Sequence, residues 1–367
     1  MRYPLGRGTA RRAPAWWSLA RRMSLLFGLL LLVSFRGLRA QTSSEAPAAA
    51  LPAARLQSGD TISLPFGSQA ILESCWSPQE LLGPSAAKKG GRSALPERKA
   101  PGFQLEPLGP ALQNSIRAVE PRHGKKVLAL TFDLCEREHE TAGYDAAVVN
   151  YLRQNRVRAT FFAGGKWMRS HPEQLLQLMA DPLFEIGDHS WSHADLRVIT
   201  GEKMEAQVRQ AQAQYESLWA ELAERPCAQK FGPAEMNQIP GLPLIFRFPY
   251  GACSPESLRF VNSQGLAAIQ WSIVTGDAAP GQTAARIARV ILDQARPGAI
   301  IVAHANGRGH GTAAALPLFI PELQKRGYEF VTVSELLASG PVVAAKQCYE
   351  LKPGDNRRYD RLFGGKP

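Results

Sequence analysis

The stretch TFDLCE, residues 131–136, ends an apolar run and sets two acids, Asp133 and Glu136, around a leucine and a cysteine. A carboxylate at the end of a buried strand can act as a general base when a partner group fixes it. DHSWSH, 188–193, places His189 and His193 four residues apart, and neutral imidazoles on one face of a short helical turn can share a divalent ion. RFPYG, 247–251, offers Arg247, whose planar fork can hold a carboxylate in two bonds, and Tyr250, whose backbone N–H can face a developing oxyanion. Asp277 follows the run QWSI and His304 ends AIIVAH, two further polar groups at the ends of apolar runs. Each feature alone has a plain structural explanation: a strand end, a polar loop, a Pro–Gly turn, a loop cap, a core histidine. Their joint occurrence at the ends of β-rich runs is what points to chemistry.

Those runs are VLALTF, ATFFAGG, LFEIGDHS, LIFRFPYG, LAAIQWSI, AIIVAH and YEFVTV. They alternate with segments of helical apolar spacing such as AAVVNYLRQN, PEQLLQLMA and TAARIARVILDQA. Seven strands alternating with helices predict an α/β fold with a parallel sheet, closed as a barrel or open and doubly wound. In either case the loops converge at the carboxyl ends of the strands, where the candidate residues stand. Glu224 to Pro243, with four prolines, is expected as a surface excursion. Residues 41–119 are expected as a Pro/Ala-rich linker and N-terminal extension with one short docked piece near 63–76, 120–340 as the domain, and 341–367 as a tail.

The ordered set TFD, HSWSH, RFPYG, Asp277 and IIVAH resembles the NodB-homology polysaccharide deacetylases, carbohydrate esterase family 4, over roughly residues 120–338. The resemblance implies a distorted (β/α) barrel of about seven parallel strands and metal-dependent removal of acetyl groups from N-acetylated sugars. By position it implies Asp133 as catalytic base, Arg247 as its tether, and His189 and His193 as ligands of one divalent ion, zinc being expected. It further implies His304 as the acid, Asp277 as the carboxylate that tunes it, and the Tyr250 N–H as oxyanion donor. One position departs from the pattern: the family's second aspartate, a metal ligand, is here Leu134, which cannot ligate. Glu136 is expected to supply the third ligand, with Cys135, Glu138 and His139 as alternatives.

The formal charge of +11 suggests a nucleic-acid binder until it is located: the first 40 residues hold eight arginines and no acid. The remainder is close to balanced and has no basic stripe interleaved with aromatics, so no nucleic-acid partner is expected. Those 40 residues read as an export signal, Arg-rich, with the apolar run SLLFGLLLLVSF at 24–35 and Ala40 before the cleavage point. No later apolar run is long enough to span a bilayer, so the mature protein is expected in the periplasm or outside the cell. Five cysteines then meet an oxidising compartment, and at least one has no intrachain partner.

The expected partner is an N-acetylated glycan. Two other functions remain open at this point: a catalytically silent carbohydrate-binding protein, which would not need the full acid and base set, and a metal-dependent amidase acting on a non-sugar substrate.

Overall fold

The computed structural model describes residues 66–85, 89–90 and 96–363. The export signal expected over 1–40 and residues 41–65 of the expected linker lie outside the described residues. Among the described residues no helix is long and apolar enough to cross a membrane.

Ten strands frame the site: β1 (Ser115–Val119), β2 (Val127–Leu134), β3 (Ala159–Ala163), β4 (Phe184–Asp188), β5 (Ile245–Phe246), β6 (Ala267–Ala268), β7 (Ile273–Val274), β8 (Ile300–His304), β9 (Glu329–Val331) and β10 (Val342–Ala345). Eight of them form one sheet in the order β6-β5-β4-β3-β2-β8-β7, with β9 paired to the start of β2. Every pairing in that sheet is parallel. The expected run LAAIQWSI breaks into two strands, β6 and β7, which are the two edges of the sheet. Edges only a few residues apart in sequence require the sheet to curl, so the architecture is a distorted, incompletely closed barrel.

All eight residues of β2 are buried. A strand covered on both faces is apolar throughout rather than alternating. Its side chains still alternate in direction. Leu128, Leu130, Phe132 and Leu134 join Phe161, Trp167 and Phe319 in the core beneath the outer helices. Val127 and Ala129 turn the other way, into the barrel, with Phe162, Trp271 and Val302. Thr131 and Asp133 continue that inward row.

The structure draws the domain boundaries differently from the sequence expectation at 120 and 340. β1 and β10 pair antiparallel, Val342 opposite Val119, so the domain includes residues on both sides of those limits. β1 also lies along the seam, with Ile116 bridging Ile269 and Ala118 bridging Ala299. Further upstream, the helix Gln69–Cys75 buries Ile71 and Leu72, and Cys75 is bonded to Cys227 in the Pro-rich excursion. Short apolar segments such as SIRAV and VVAA carry no local turn signal; their partners lie more than 200 residues away in sequence.

Parallel register brings the chemistry together. His304 stands opposite Asp133 on neighbouring strands, and Asp188 stands opposite both Ala163 and Phe246. Asp133, His189, Arg247 and His304 therefore collect at one rim.

Candidate active site

Arg247 is fully buried, and its Nη1 donates to Asp133 Oδ1 at 2.9 Å and to Thr131 Oγ1 at 2.7 Å. Its guanidinium lies 3.9 Å from the Phe162 ring centroid, so the cation is held by an aromatic face as well as by the acid. The Arg247 carbonyl accepts a hydrogen bond from His189 Nδ1 at 2.8 Å. That contact fixes the tautomer: Nδ1 carries the proton and Nε2 keeps its lone pair. Nε2 is buried without a hydrogen-bond partner and lies 3.6 Å from Asp133 Oδ2. Burial holds the His189 imidazole below its ordinary pKa, so the contact is neutral ring to carboxylate rather than an ion pair.

His193 reaches its place by a different route from the expected helical turn. Ser190 and His193 adopt φ of 64° and 55°, left-handed values that bend the loop and bring the two imidazole centroids to 4.9 Å. Non-glycine residues there carry strain of about 1–3 kcal/mol each, which the packing must offset. Tyr250, at φ 59°, is a third such residue, and its ring lies edge-on 4.4 Å from His193. Burial first, then the neighbouring His189, holds His193 well below its ordinary pKa. Two neutral imidazoles, with His189 Nε2 and His193 Nδ1 buried and unpartnered, are what a cation site presents before its ion is added.

The third group beside them is Cys135. Ligand atoms of Cys135, His189 and His193 all lie within 4.8 Å of one another, the one such cluster among the described residues. Cys135 is the free cysteine; the other four form Cys75–Cys227 and Cys253–Cys348. Asn306 Nδ2 donates to its Sγ at 3.1 Å and its carbonyl at 2.6 Å. Burial pushes the thiol up to about 11, and a bound divalent cation would offset that by stabilising the thiolate. The residues fit a thiophilic divalent ion in an N,N,S environment better than a hard, all-oxygen one.

Glu136 is not part of this group, which corrects the sequence expectation. The alternation that turns Asp133 and Cys135 into the barrel turns Leu134 and Glu136 away from it. The Glu136 carboxylate accepts from Ala142 N at 2.9 Å and Ser170 Oγ at 2.6 Å, and faces Lys166 Nζ at 3.5 Å. Lys166, itself buried, also donates to the carbonyls of Arg137, Glu138 and Glu140. This pair anchors the 136–142 loop from behind, a positioning role that GGKW offers no sequence signal for. We expect Glu136→Gln to leave metal affinity within about twofold, whereas Cys135→Ser should weaken it at least tenfold, a loss that even indirect contacts can produce. Metal titration of the two variants decides; the reverse order would restore Glu136 as ligand.

Across the rim, Asp277 Oδ1 bonds His304 Nδ1 at 2.8 Å, while Oδ2 accepts from His304 N at 2.7 Å and Thr312 Oγ1 at 2.7 Å. Burial alone would lower the His304 pKa; it is outweighed by the charge and hydrogen bond of Asp277 together with the Asp133 charge, so the net shift is upward. Asp277 is held below its ordinary value because His304 and its three hydrogen bonds outweigh its burial. Gly309 makes this dyad possible: a Cβ there would lie 2.4 Å from the His304 carbonyl and 3.1 Å from Asp277 Oδ2.

These groups open into one cavity of about 650 Å³, within the size of small-ligand sites, about 300–1,000 Å³. Asp133, Cys135, His193, Asp277 and His304 line it, as do Tyr250 and Trp271. The structure thus brings together all the predicted site residues except Glu136.

The polysaccharide deacetylase family model matches residues 120–226, the segment that holds Asp133, His189 and His193. A chitooligosaccharide deacetylase of Azorhizobium caulinodans is 32% identical over 197 residues, covering 50% of this chain and 82% of that protein. A chitooligosaccharide deacetylase of a Bradyrhizobium species is 31% identical over 203 residues, covering 52% of this chain and 82% of its own length. A peptidoglycan-N-acetylglucosamine deacetylase of Bacillus cereus is 29% identical over 238 residues, covering 64% of this chain and 96% of its own. On these relatives and this arrangement of strands, the chain belongs to the NodB-homology polysaccharide deacetylases and is a polysaccharide N-deacetylase.

Proposed function

We propose that the protein is an exported, metal-dependent hydrolase that removes N-acetyl groups from an amino-sugar glycan of the cell envelope or its surroundings and releases acetate. Export is supported by the two disulfides, which persist in oxidising compartments. Cys135, His189 and His193 would hold the ion, zinc being the divalent metal that this donor set suits. When bound, such an ion polarises an amide carbonyl and makes water more acidic.

The chain's own groups complete the reaction. Asp133, fixed by Arg247, takes a proton as water oxygen bonds to the acetyl carbon. The Tyr250 backbone N–H faces the oxygen on which negative charge develops. His304, held by Asp277, then delivers its proton to the sugar nitrogen as the carbon–nitrogen bond breaks, leaving a free amine and acetate. The observation that carries this reading is the opposition of two separately tethered groups on adjacent strands: Asp133 bound to Arg247 at 2.9 Å, and His304 bound to Asp277 at 2.8 Å.

Acetate release from a panel of N-acetylated glycans, before and after chelation and after re-addition of zinc, tests the proposal. Binding without acetate release would support the silent binding protein instead, and release of a different acid the amidase. The Asp277–His304 pair adds a pH test. Because Asp277 raises the His304 pKa, removing its charge lowers that pKa, so the imidazolium is lost at lower pH. Asp277→Asn is expected to move the alkaline limb of kcat/KM downward and to reduce the rate about 10²-fold. An alkaline limb that stays in place would assign it to another group.

A further inference from the structure

Part of the lining of the cavity comes from the C-terminal tail, a segment that no part of the mechanism uses. Glu350, Arg358 and Tyr359 line it together with Asp133 and His304. We propose that these three residues form a sugar-binding subsite for the pyranose next to the one that is deacetylated. The proposal deepens the deacetylase reading and rests on it for the nature of the substrate.

The chemistry of the wall fits a sugar ring. The Tyr359 ring lies 4.9 Å from Tyr250, tilted by 32°, and Tyr250 in turn lies 4.4 Å from His193. A row of ring contacts, one edge-on and one tilted, thus leads from the reactive centre to the tail. An aromatic face takes the apolar C–H face of a pyranose, while a carboxylate and a guanidinium at its edge pair with hydroxyls as acceptor and donor. Arg358 supplies the second feature: its guanidinium lies 4.8 Å from the Tyr359 ring centroid and bonds Glu350 Oε2 at 2.5 Å.

The wall is built in place rather than draped. Arg117 donates to the carbonyls of Tyr349 and Glu350, each at 2.8 Å, and Trp271 Nε1 donates to the Glu350 carbonyl at 3.0 Å. Asn356 is fully buried, and Arg197 donates to its side chain at 2.6 Å and its carbonyl at 2.8 Å. Cys348 is bonded to Cys253, three residues beyond Tyr250, so the tail is covalently tied to the turn that carries a site residue. A subsite held this way loses little ordering entropy on binding, the condition under which a few contacts add affinity.

The test compares N-acetylglucosamine monomer and tetramer in the full-length enzyme. Tyr359→Ala should raise KM for the tetramer about tenfold, with kcat and monomer turnover unchanged and metal content equal to wild type. Tyr359→Phe, which keeps the stacking face, should behave as wild type, which separates stacking from misfolding. Calorimetric titration with the tetramer should show the same tenfold loss for Tyr359→Ala without any need for turnover. Equal loss on monomer and tetramer, or no loss on either, would overturn the subsite. Failure of the wild type to release acetate from any glycan would overturn the deacetylase reading alone, because the calorimetry still reports whether Tyr359 binds the sugar.

Discussion

Asp133→Asn is expected to lower kcat by about 10²–10⁴-fold, the range that a positioned general base contributes, with metal content and far-ultraviolet circular dichroism unchanged. The substitution keeps the size and one hydrogen-bond acceptor but removes the charge that receives the proton. Asp133 faces the cavity with one oxygen 2.9 Å from Arg247 and the other 3.6 Å from His189, so its geometry is set from both sides. Acetate release under saturating substrate measures the effect. Activity within a few-fold of wild type would assign the base role elsewhere and leave Asp133 a structural partner of Arg247.

The second large effect is on stability. Arg247→Met should destabilise the fold by about 3–5 kcal/mol, the typical cost of breaking a buried ion pair by removing one partner. On a domain of this size that lowers Tm by on the order of 10 °C. Arg247 has no exposed surface, and besides Asp133 and Thr131 it reaches the carbonyls of Ile269 and Gln270 at 3.4 Å each, so it ties three strand ends together. Methionine fills most of the volume but leaves Asp133, only 5% exposed, without its counter-charge. The double variant Arg247→Met with Asp133→Leu should therefore be more stable than Arg247→Met alone, although inactive. Thermal unfolding of the three proteins measures this. A Tm for Arg247→Met close to wild type would show that the pair is incidental to the fold.

Both predictions rest on positions that the amino-acid pattern itself marks out. Asp133, His189, Arg247 and His304 stand at the ends of apolar runs, and a parallel α/β sheet brings such ends to one rim through short-range rules of strand and helix. Asp277 follows the same logic one turn further on. The seven runs also match the sheet, with one adjustment where LAAIQWSI splits into two short edge strands at the seam.

Which residue of TFDLCE stands beside the two histidines was beyond reach of the pattern. In a half-exposed strand, polar and apolar residues alternate and reveal which side chains share a face. β2 is buried on both faces, so TFDLCE has no such alternation, and nothing local distinguishes Cys135, turned inward, from Glu136, turned toward Lys166. The tail, the pairing of β1 with β10 and the choice of cysteine partners share a related cause. Each depends on contacts across long stretches of chain, 152 residues for Cys75–Cys227 and 95 for Cys253–Cys348. The sequence by itself determined the fold class and the gathering of Asp133, His189, Arg247 and His304 at the strand ends, because these follow from local periodicity and strand order. Only the tertiary structure decided that a thiol stands beside the histidines and that the C-terminal tail walls the cavity, because pleat direction and distant pairing are settled by packing rather than by neighbouring residues.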